Sequence, residues 1–566
     1  MNAETKNCQN CKQNFVIEPE DFEFYAKIKV PPPTFCPSCR FQRRLSFLNV
    51  FSLYKRPCDL CKKDFVAMYA ADSLYTVYCP KCWWSDGWDP YKYGRDYDFS
   101  RPFFEQFKEL WRDVPLLGAS LDLESTNSPY NNHAGHLKNT YLLFHADYTE
   151  DSAYGFYHVQ NKSVFDCSSL MLCENCYDCK NAFKDNRCIG FDNSIESLDS
   201  VFLRDSRNCQ HCFASANLRN KKYVFFNEQL TREEYFKRIG ALDIGSYKVY
   251  QEVKARVRKH WKKYPPRPQY VDYSINSTGN YIFNSKNCKE CYEVNEAEDS
   301  KYLALCGKGP NRDSYDVSSW GYNMSLCYEG CNVGENVSGV RFSEESGINL
   351  FDAEYCKLSM GGSHHFGCVS IKKGEYVIFN KKYSEKDFYE FRQRIVAHMQ
   401  KMPYRDVSGI EYKYGEFFPL ELSSFAYNET LARYFFPLSK EEALSKRYRW
   451  RDHEIPEQEI TKSTDDVPDH IKDAPDSIVE EVIGCKTCGR GFRIIPMELA
   501  FLRRLNVPIP RECPFCRIDE KVQKWVKQLR LVSRTCDKCA IDFKTSFIKE
   551  DAPIIYCIKC YNAEVA

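Results

Sequence analysis

From about residue 138 the chain falls into short units in which one or two small polar residues precede an aromatic or aliphatic one. Asn139-Thr140-Tyr141, Ser152-Ala153-Tyr154, Ser163-Val164-Phe165, Asn175-Cys176-Tyr177 and Asn186-Arg187-Cys188 set their anchors 11 to 13 residues apart. The rhythm returns in Asn280-Tyr281, Asn287-Cys288, Ser300-Lys301-Tyr302, Asp313-Ser314-Tyr315 and Leu326-Cys327-Tyr328. Regular short strands between polar turns predict a solenoid whose coils stack inward-facing anchors, a β-helix-like core. A β-sandwich spaces its strands similarly and is the alternative. Both halves close alike: Tyr223-Val224-Phe225-Phe226-Asn227 recurs 153 residues on as Tyr376-Val377-Ile378-Phe379-Asn380. A capping box, Thr231 with Glu234, then Ser384 with Asp387, predicts a helix closing each lobe. Phe388, Phe391, Ile395 and Met399 share one helical face.

Helical spacing appears elsewhere. Ser100 and Pro102 suit a helix start, and Phe103, Phe107, Leu110 and Trp111 make a stripe that predicts a connector packed on the core. Trp83, Trp84 and Trp88 precede it, suited to packing or to stacking on a ligand. Asn428 and Ser439-x-x-Glu442 predict two short helices, and a charged stretch over 452–480 with Pro456, Pro468 and Pro475 reads as a linker.

Composition changes this picture in two ways. The 566 residues include 30 cysteines, no stretch is apolar enough to span a membrane, and the polar start Met1–Gln9 has no apolar signal region. Sixteen cysteines fall into CxxC pairs at metal-site intervals, which predicts reduced thiolates on metal in a cytoplasmic protein rather than disulfides. The net charge is +1, but residues 1–90 carry +2, residues 481–566 carry +6, and the middle carries −7.

The cysteines repeat. Cys8, Cys11, Cys36 and Cys39 recur 477 residues later as Cys485, Cys488, Cys513 and Cys516. Cys58, Cys61, Cys79 and Cys82 recur 478 residues later as Cys536, Cys539, Cys557 and Cys560. Phe15, Ile17, Pro19, Val30, Pro31 and Pro33 also match their counterparts. Two CxxC turns converge on one tetrahedral ion, and a hairpin too small to bury a core relies on that ion to fold. About four Zn2+ per chain are expected, with iron or an Fe–S cluster as the competing occupant. Phe41, Leu45 and Leu48, matched by Ile518, Val522 and Trp525, predict a helix starting at the second CxxC.

With its FxI run, proline-rich approach and CPxCR at Cys36–Arg40 and Cys513–Arg517, the first site of each pair resembles the treble-clef zinc-ribbon family. The second, 58–82 and 536–560, looks like a shorter ribbon. Over nearly the full length the chain resembles large uncharacterised tandem-CxxC proteins of ultra-small uncultured bacteria, through Cys36–Arg40, Tyr78–Trp84 and Tyr427–Thr430. That resemblance implies an architecture and no activity.

The expected order is a tandem zinc module over 1–90, a helical connector over 91–136, and solenoid lobes with capping helices over 137–245 and 246–405. A helical segment and linker over 406–480 and a second module over 481–566 follow. The sum is a multidomain, mainly β protein. With four ligands each, the zinc sites leave no open position and read as structural. Arg40, Arg43, Arg44, Arg503, Arg504, Arg517, Lys521 and Lys524 are candidate contacts to RNA or other nucleic acid. The core cysteines, among them Cys173, Cys176, Cys179, Cys188, Cys209, Cys212, Cys288 and Cys291, read as packing residues, with further metal as the alternative. His133, His136, His145, His158, His364 and His365 are candidates for acid–base or metal chemistry. The leading reading is a non-catalytic zinc-stapled scaffold. Its competitors are a protein-directed assembly module, whose ends pair in one chain or across a dimer, and an enzyme with a carbohydrate-type site on the solenoid face.

Overall fold

The backbone turns left-handed at every third residue from Asn139 to Phe226, with φ near +50° to +70°. Asparagine, aspartate and glycine hold many of these corners, as the sterics of positive φ favour. The residue after each corner is buried: Thr140, Leu143, Ala146, Thr149, Ser152 and so on, without exception, to Leu218. Four such triplets make one coil, because Lys138 pairs in parallel with Glu150, and Glu150 with Lys162, 12 residues apart each time. The computed structural model, which describes residues 2–452 and 459–565, is thus a mainly β fold built on a β-solenoid of about 21 turns. Twelve α-helices lie among the described residues.

So tight a coil favours small side chains inside, and these also satisfy its backbone. Ser152 Oγ donates to the Glu150 carbonyl (2.6 Å) and accepts from the Val164 N–H (3.0 Å) one coil on. Ser197 repeats this with Ile195 and Cys209. Cys176 and Cys188 point their thiols at the carbonyls two residues back, at 3.4 and 3.2 Å. Serine and cysteine therefore interchange as inward donors, which is why the core is cysteine-rich: 13 of the 14 cysteines outside the CxxC sites belong to the two solenoid cores. The fourteenth, Cys331, is buried and donates to the Arg44 carbonyl. The aromatic anchors are arranged differently from expectation. Tyr154, Phe165 and Tyr177 occupy the positions at or before the corner and lie outside the coil; Cys188 alone of the five anchors follows a corner and faces in.

The chain divides into two units, residues 1–120 with 270–452 and residues 121–269 with 453–566. Each joins one end module to one solenoid. In the second unit the coils run to a hairpin, Val224–Phe225 with Glu228–Gln229, and then to the helix Arg232–Gly240, whose Thr231–Glu234 capping box is formed. The helix Tyr247–Trp261 follows and packs on this solenoid, Tyr250 against Phe202. In the first unit the coils begin at Val271–Asp272, vary between 11 and 14 residues, and close with the hairpin Glu375–Ile378/Lys381–Lys382 and the helix Glu385–Lys401 capped by Ser384.

The connector helix starts at Phe103, with Pro102 at its cap and Ser100 bonded to Asp98 instead; Phe103, Phe107, Leu110 and Trp111 are all buried. Trp83 is buried against Trp84 and Trp88, which makes this cluster packing. Asn428 sits in a single 3-10 turn, Tyr427–Glu429, and Ser439 with Glu442 caps Lys440–Ser445 as expected. Pro456 lies outside the described residues. Pro468 and Pro475 flank short 3-10 turns rather than a structureless linker. Among the described residues no helix is long and apolar enough to cross a membrane.

Candidate metal centres and the joints beside them

The same turn occurs four times. In each first CxxC the residue after the second cysteine (Lys12, Lys62, Gly489 or Ala540) takes a positive φ and returns its N–H to the carbonyl of the first cysteine at 2.9–3.0 Å. Each second CxxC lies at a helix start: Cys36, Cys79 and Cys513 are the N-caps of Pro37–Leu45, Pro80–Trp84 and Pro514–Gln528, and Cys557 precedes Ile558–Val565. In the first site of each module the linking segment is more than a hairpin. It also carries a helix, Pro19–Lys27 or Pro496–Leu505, begun by a proline.

These turns bring the sixteen predicted cysteines into four groups whose sulfurs lie within 4.8 Å of one another. Tetrahedral ligands about 2.3 Å from an ion stand about 3.8 Å apart. The observed separations match: 3.7 Å for Cys11–Cys36, 3.9 Å for Cys485–Cys516, 3.8 Å for Cys488–Cys513 and 3.8 Å for Cys539–Cys557. The N–H of Cys36, Cys79, Cys513 and Cys557 points at the sulfur of Cys8, Cys58, Cys485 and Cys536, at 3.2–3.3 Å. Burial opposes ionisation of Cys58, Cys485 and Cys536, yet the N–H donors around each sulfur hold the thiols down to about 7, 7 and 6. Four preformed sets of thiolate donors fit four metal ions. No further cluster of this kind occurs among the described residues, and the core cysteines line the two solenoid cores.

The histidines are not brought together as a site. His365 and His158 face inward, each with Nε2 on a backbone carbonyl at 3.0 Å, and burial holds both down to about 4. His364, the next residue along the strand, faces out and stacks on Tyr376 with Nδ1 at 2.9 Å from Asp352, so the pair cannot chelate one ion. His133 and His145 stack on one another, and His145 on Tyr157.

Several predicted nucleic-acid contacts sit elsewhere than expected. Arg40, the residue after Cys39, is 1% exposed, Arg43 is 2% and Arg44 is 0%. Arg40 bonds Asp316 at 3.0 Å, Arg44 bonds Asp316 at 2.9 Å, and Arg43 bonds Glu329 at 3.0 Å and Glu416 at 3.4 Å. The second unit repeats the joint. Arg517, the residue after Cys516, bonds Asp166 and Glu498, and Lys521 bonds Asp178. Arg40 lies over the ring of Tyr302 at 5.5 Å and Arg517 over Tyr154 at 4.5 Å. Tyr302, Asp316 and Glu329 occupy successive coils at one corner, as Tyr154, Asp166 and Asp178 do, so the docking surface is duplicated with the module that reads it. Residue by residue, Arg40, Arg44 and Asp21 correspond to Arg517, Lys521 and Glu498 at the offset of 477. Sequence gives these cations as a basic run; apart from Glu498, which is 19 residues from Arg517, the fold matches them to carboxylates 272 to 373 residues away. Arg40, Arg43, Arg44, Arg517 and Lys521 thus face carboxylates at the joint with the solenoid. Arg503, Arg504 and Lys524 remain exposed, with Arg503 paired to Asp476, Arg504 over Phe501 and Lys524 paired to Glu520. Trp525, the neighbour of Lys524, is buried.

Together these features define a β-solenoid protein that carries four tetra-cysteine metal-type sites, two on the module docked against each solenoid. No family model matches the chain, and no curated protein does.

Proposed function

We propose that the chain is a zinc-stapled scaffold in which each end module is a metal-dependent clamp on a solenoid, with four structural Zn2+ per chain in treble-clef and ribbon-like sites. The carrying observation is that Arg40 and Arg517, the central cations of the two joints, follow directly on the last cysteine of a metal site. A helix that begins at that cysteine turns its first-turn arginine towards the solenoid only while the two cysteine turns are held together. Metal occupancy and docking are therefore one equilibrium. Sixteen thiolates need a reducing compartment, which supports a cytoplasmic setting. With Arg40, Arg43 and Arg44 occupied, polyanion binding falls to the C-terminal module, where the exposed cations lie.

Native mass spectrometry and metal analysis test this. The expected content is four zinc per chain, with removal by chelator making residues 1–90 and 481–566 protease-sensitive. A content near six places metal on the core cysteines and contradicts their packing role. Disulfides among the sixteen cysteines contradict the scaffold itself.

A further inference from the structure

The two copies of the first zinc site differ on their outer rim. Between Cys485 and Arg493 the C-terminal copy carries Lys486, Arg490 and Arg493 and no acid; at the same positions the N-terminal copy has Gln9, Gln13 and Val16. Phe515, between Cys513 and Cys516, replaces Ser38 and is 52% exposed. Lys486 and Arg490 flank one cysteine turn and Phe515 lies in the other, and both turns close on a single centre; Arg493 follows just past the strand Gly491–Phe492. The Cys485 N–H bonds the Arg490 carbonyl at 2.8 Å, and the Lys486 N–H bonds the Arg511 carbonyl at 2.9 Å, next to Cys513. Arg490 and Arg493 are exposed, and neither forms an ion pair with a described residue. Structural demand does not explain this composition, since the other copy builds the same turn without it.

We infer that this rim binds single-stranded nucleic acid, Phe515 stacking on one base while Arg490 and Arg493 neutralise the flanking phosphates. An aromatic face beside unpaired guanidinium groups suits a strand whose bases are free, and a duplex hides those faces. Glutamate-rich peptide shares the charge and lacks the rings. The inference rests on the third site holding its metal as proposed above.

The test uses full-length, zinc-loaded protein and a short fluorescein-labelled oligouridylate, followed by anisotropy. Arg490→Gln with Arg493→Val, which installs the N-terminal residues, is expected to weaken binding about tenfold and to reduce the salt slope by about 1.4. Phe515→Ser is expected to weaken it about tenfold with the slope unchanged. Zinc content of four per chain in each variant separates failure of this inference from failure of the scaffold. If a variant loses its metal, photocrosslinking of a 4-thiouridine strand to the wild-type protein decides instead, with the adduct expected on the peptide containing Phe515. Absence of saturable binding, variants that bind like wild type, an adduct elsewhere, or equal competition by duplex or polyglutamate overturns the inference.

Discussion

The two joints solve one problem with different side chains. In the first unit Arg40, Arg43 and Arg44 meet Asp316, Glu329 and Glu416, three planar forks against three carboxylates. In the second unit Arg517, Lys521 and Lys254 meet Asp166, Asp178 and Glu498, so the charge is again balanced at three against three. One of those cations has moved: residue 520, the counterpart of Arg43, is glutamate, and Lys254 from the helix Tyr247–Trp261 supplies the missing charge. A lysine is thinner than an arginine and fills less space. The second joint accordingly keeps a cavity of about 70 Å³, lined by Asp166, Asp178, Tyr250, Lys254, Arg517 and Lys521 among others. Charge neutrality was preserved between the copies although the side chains that supply it were not. A buried ion cluster tolerates a cavity more readily than an unbalanced charge.

Metal removal should have the largest effect and should act on both joints alike. Chelation of all four sites is expected to release both modules, seen as loss of the four zinc by mass and as new cleavage confined to the module segments. A chelated protein that keeps both modules protected would break the link between metal and docking.

Exchanging the divergent residue comes next. Arg43→Glu places an acid between Glu329 and Glu416, leaving Glu416 without its cation and Glu329 with only Arg44 at 3.4 Å and Arg40 at 3.7 Å, and should cost about 3–5 kcal/mol of unit stability. The reverse change, Glu520→Arg, adds a fourth cation beside a joint already balanced and removes the partner of Lys524, but at an exposed position, and should cost about 1 kcal/mol or less. Chemical denaturation of both variants measures the asymmetry. Equal costs would mean that the two positions are equally enclosed.

Much of this architecture could be read from the residues, and the reasons for the remainder are physical. Cysteine spacing is rigid, so both modules were visible from the offsets of 477 and 478, and the capping residues Thr231, Ser384 and Ser439 marked their helices directly. The solenoid was legible from its rhythm, but its three-residue inward period was not. Inward serines and cysteines give no hydrophobic contrast with the outward asparagines, and the bulky residues that do stand out, Tyr154, Phe165 and Tyr177, mark the outside under a docked module. Burial of Arg40 and Arg517 was hidden for another reason: an isolated sequence shows a charge and not the carboxylate that answers it hundreds of residues away.

Acid should weaken both units moderately. Burial lowers His158 and His365 to about 4, one in each solenoid, below the ordinary value of about 6.5. The folded form thus binds fewer protons than the unfolded one between these limits. Stability from these sites is complete above about pH 6.5 and lost as pH falls towards 4. His158→Gln and His365→Gln should each flatten the melting temperature across that window for their own unit, and a slope unchanged in both variants would remove the assignment.

The smallest effect tests the cavity itself. Tyr250 is 4% exposed, and its hydroxyl at the cavity wall has no hydrogen-bond partner in the protein. Burying an unmatched hydroxyl costs free energy that phenylalanine does not incur, and the ring contact with Phe202 at 5.7 Å survives the change. Tyr250→Phe should therefore be neutral or stabilising by up to about 1 kcal/mol, where most buried tyrosines lose stability on the same substitution. In the first unit Tyr414 is the contrasting control: its hydroxyl bonds Glu354 at 2.7 Å, and Tyr414→Phe should cost about 1–2 kcal/mol. A loss at Tyr250 as large as at Tyr414 would mean that the cavity holds an ordered partner for that hydroxyl, and that the second joint is as fully satisfied as the first.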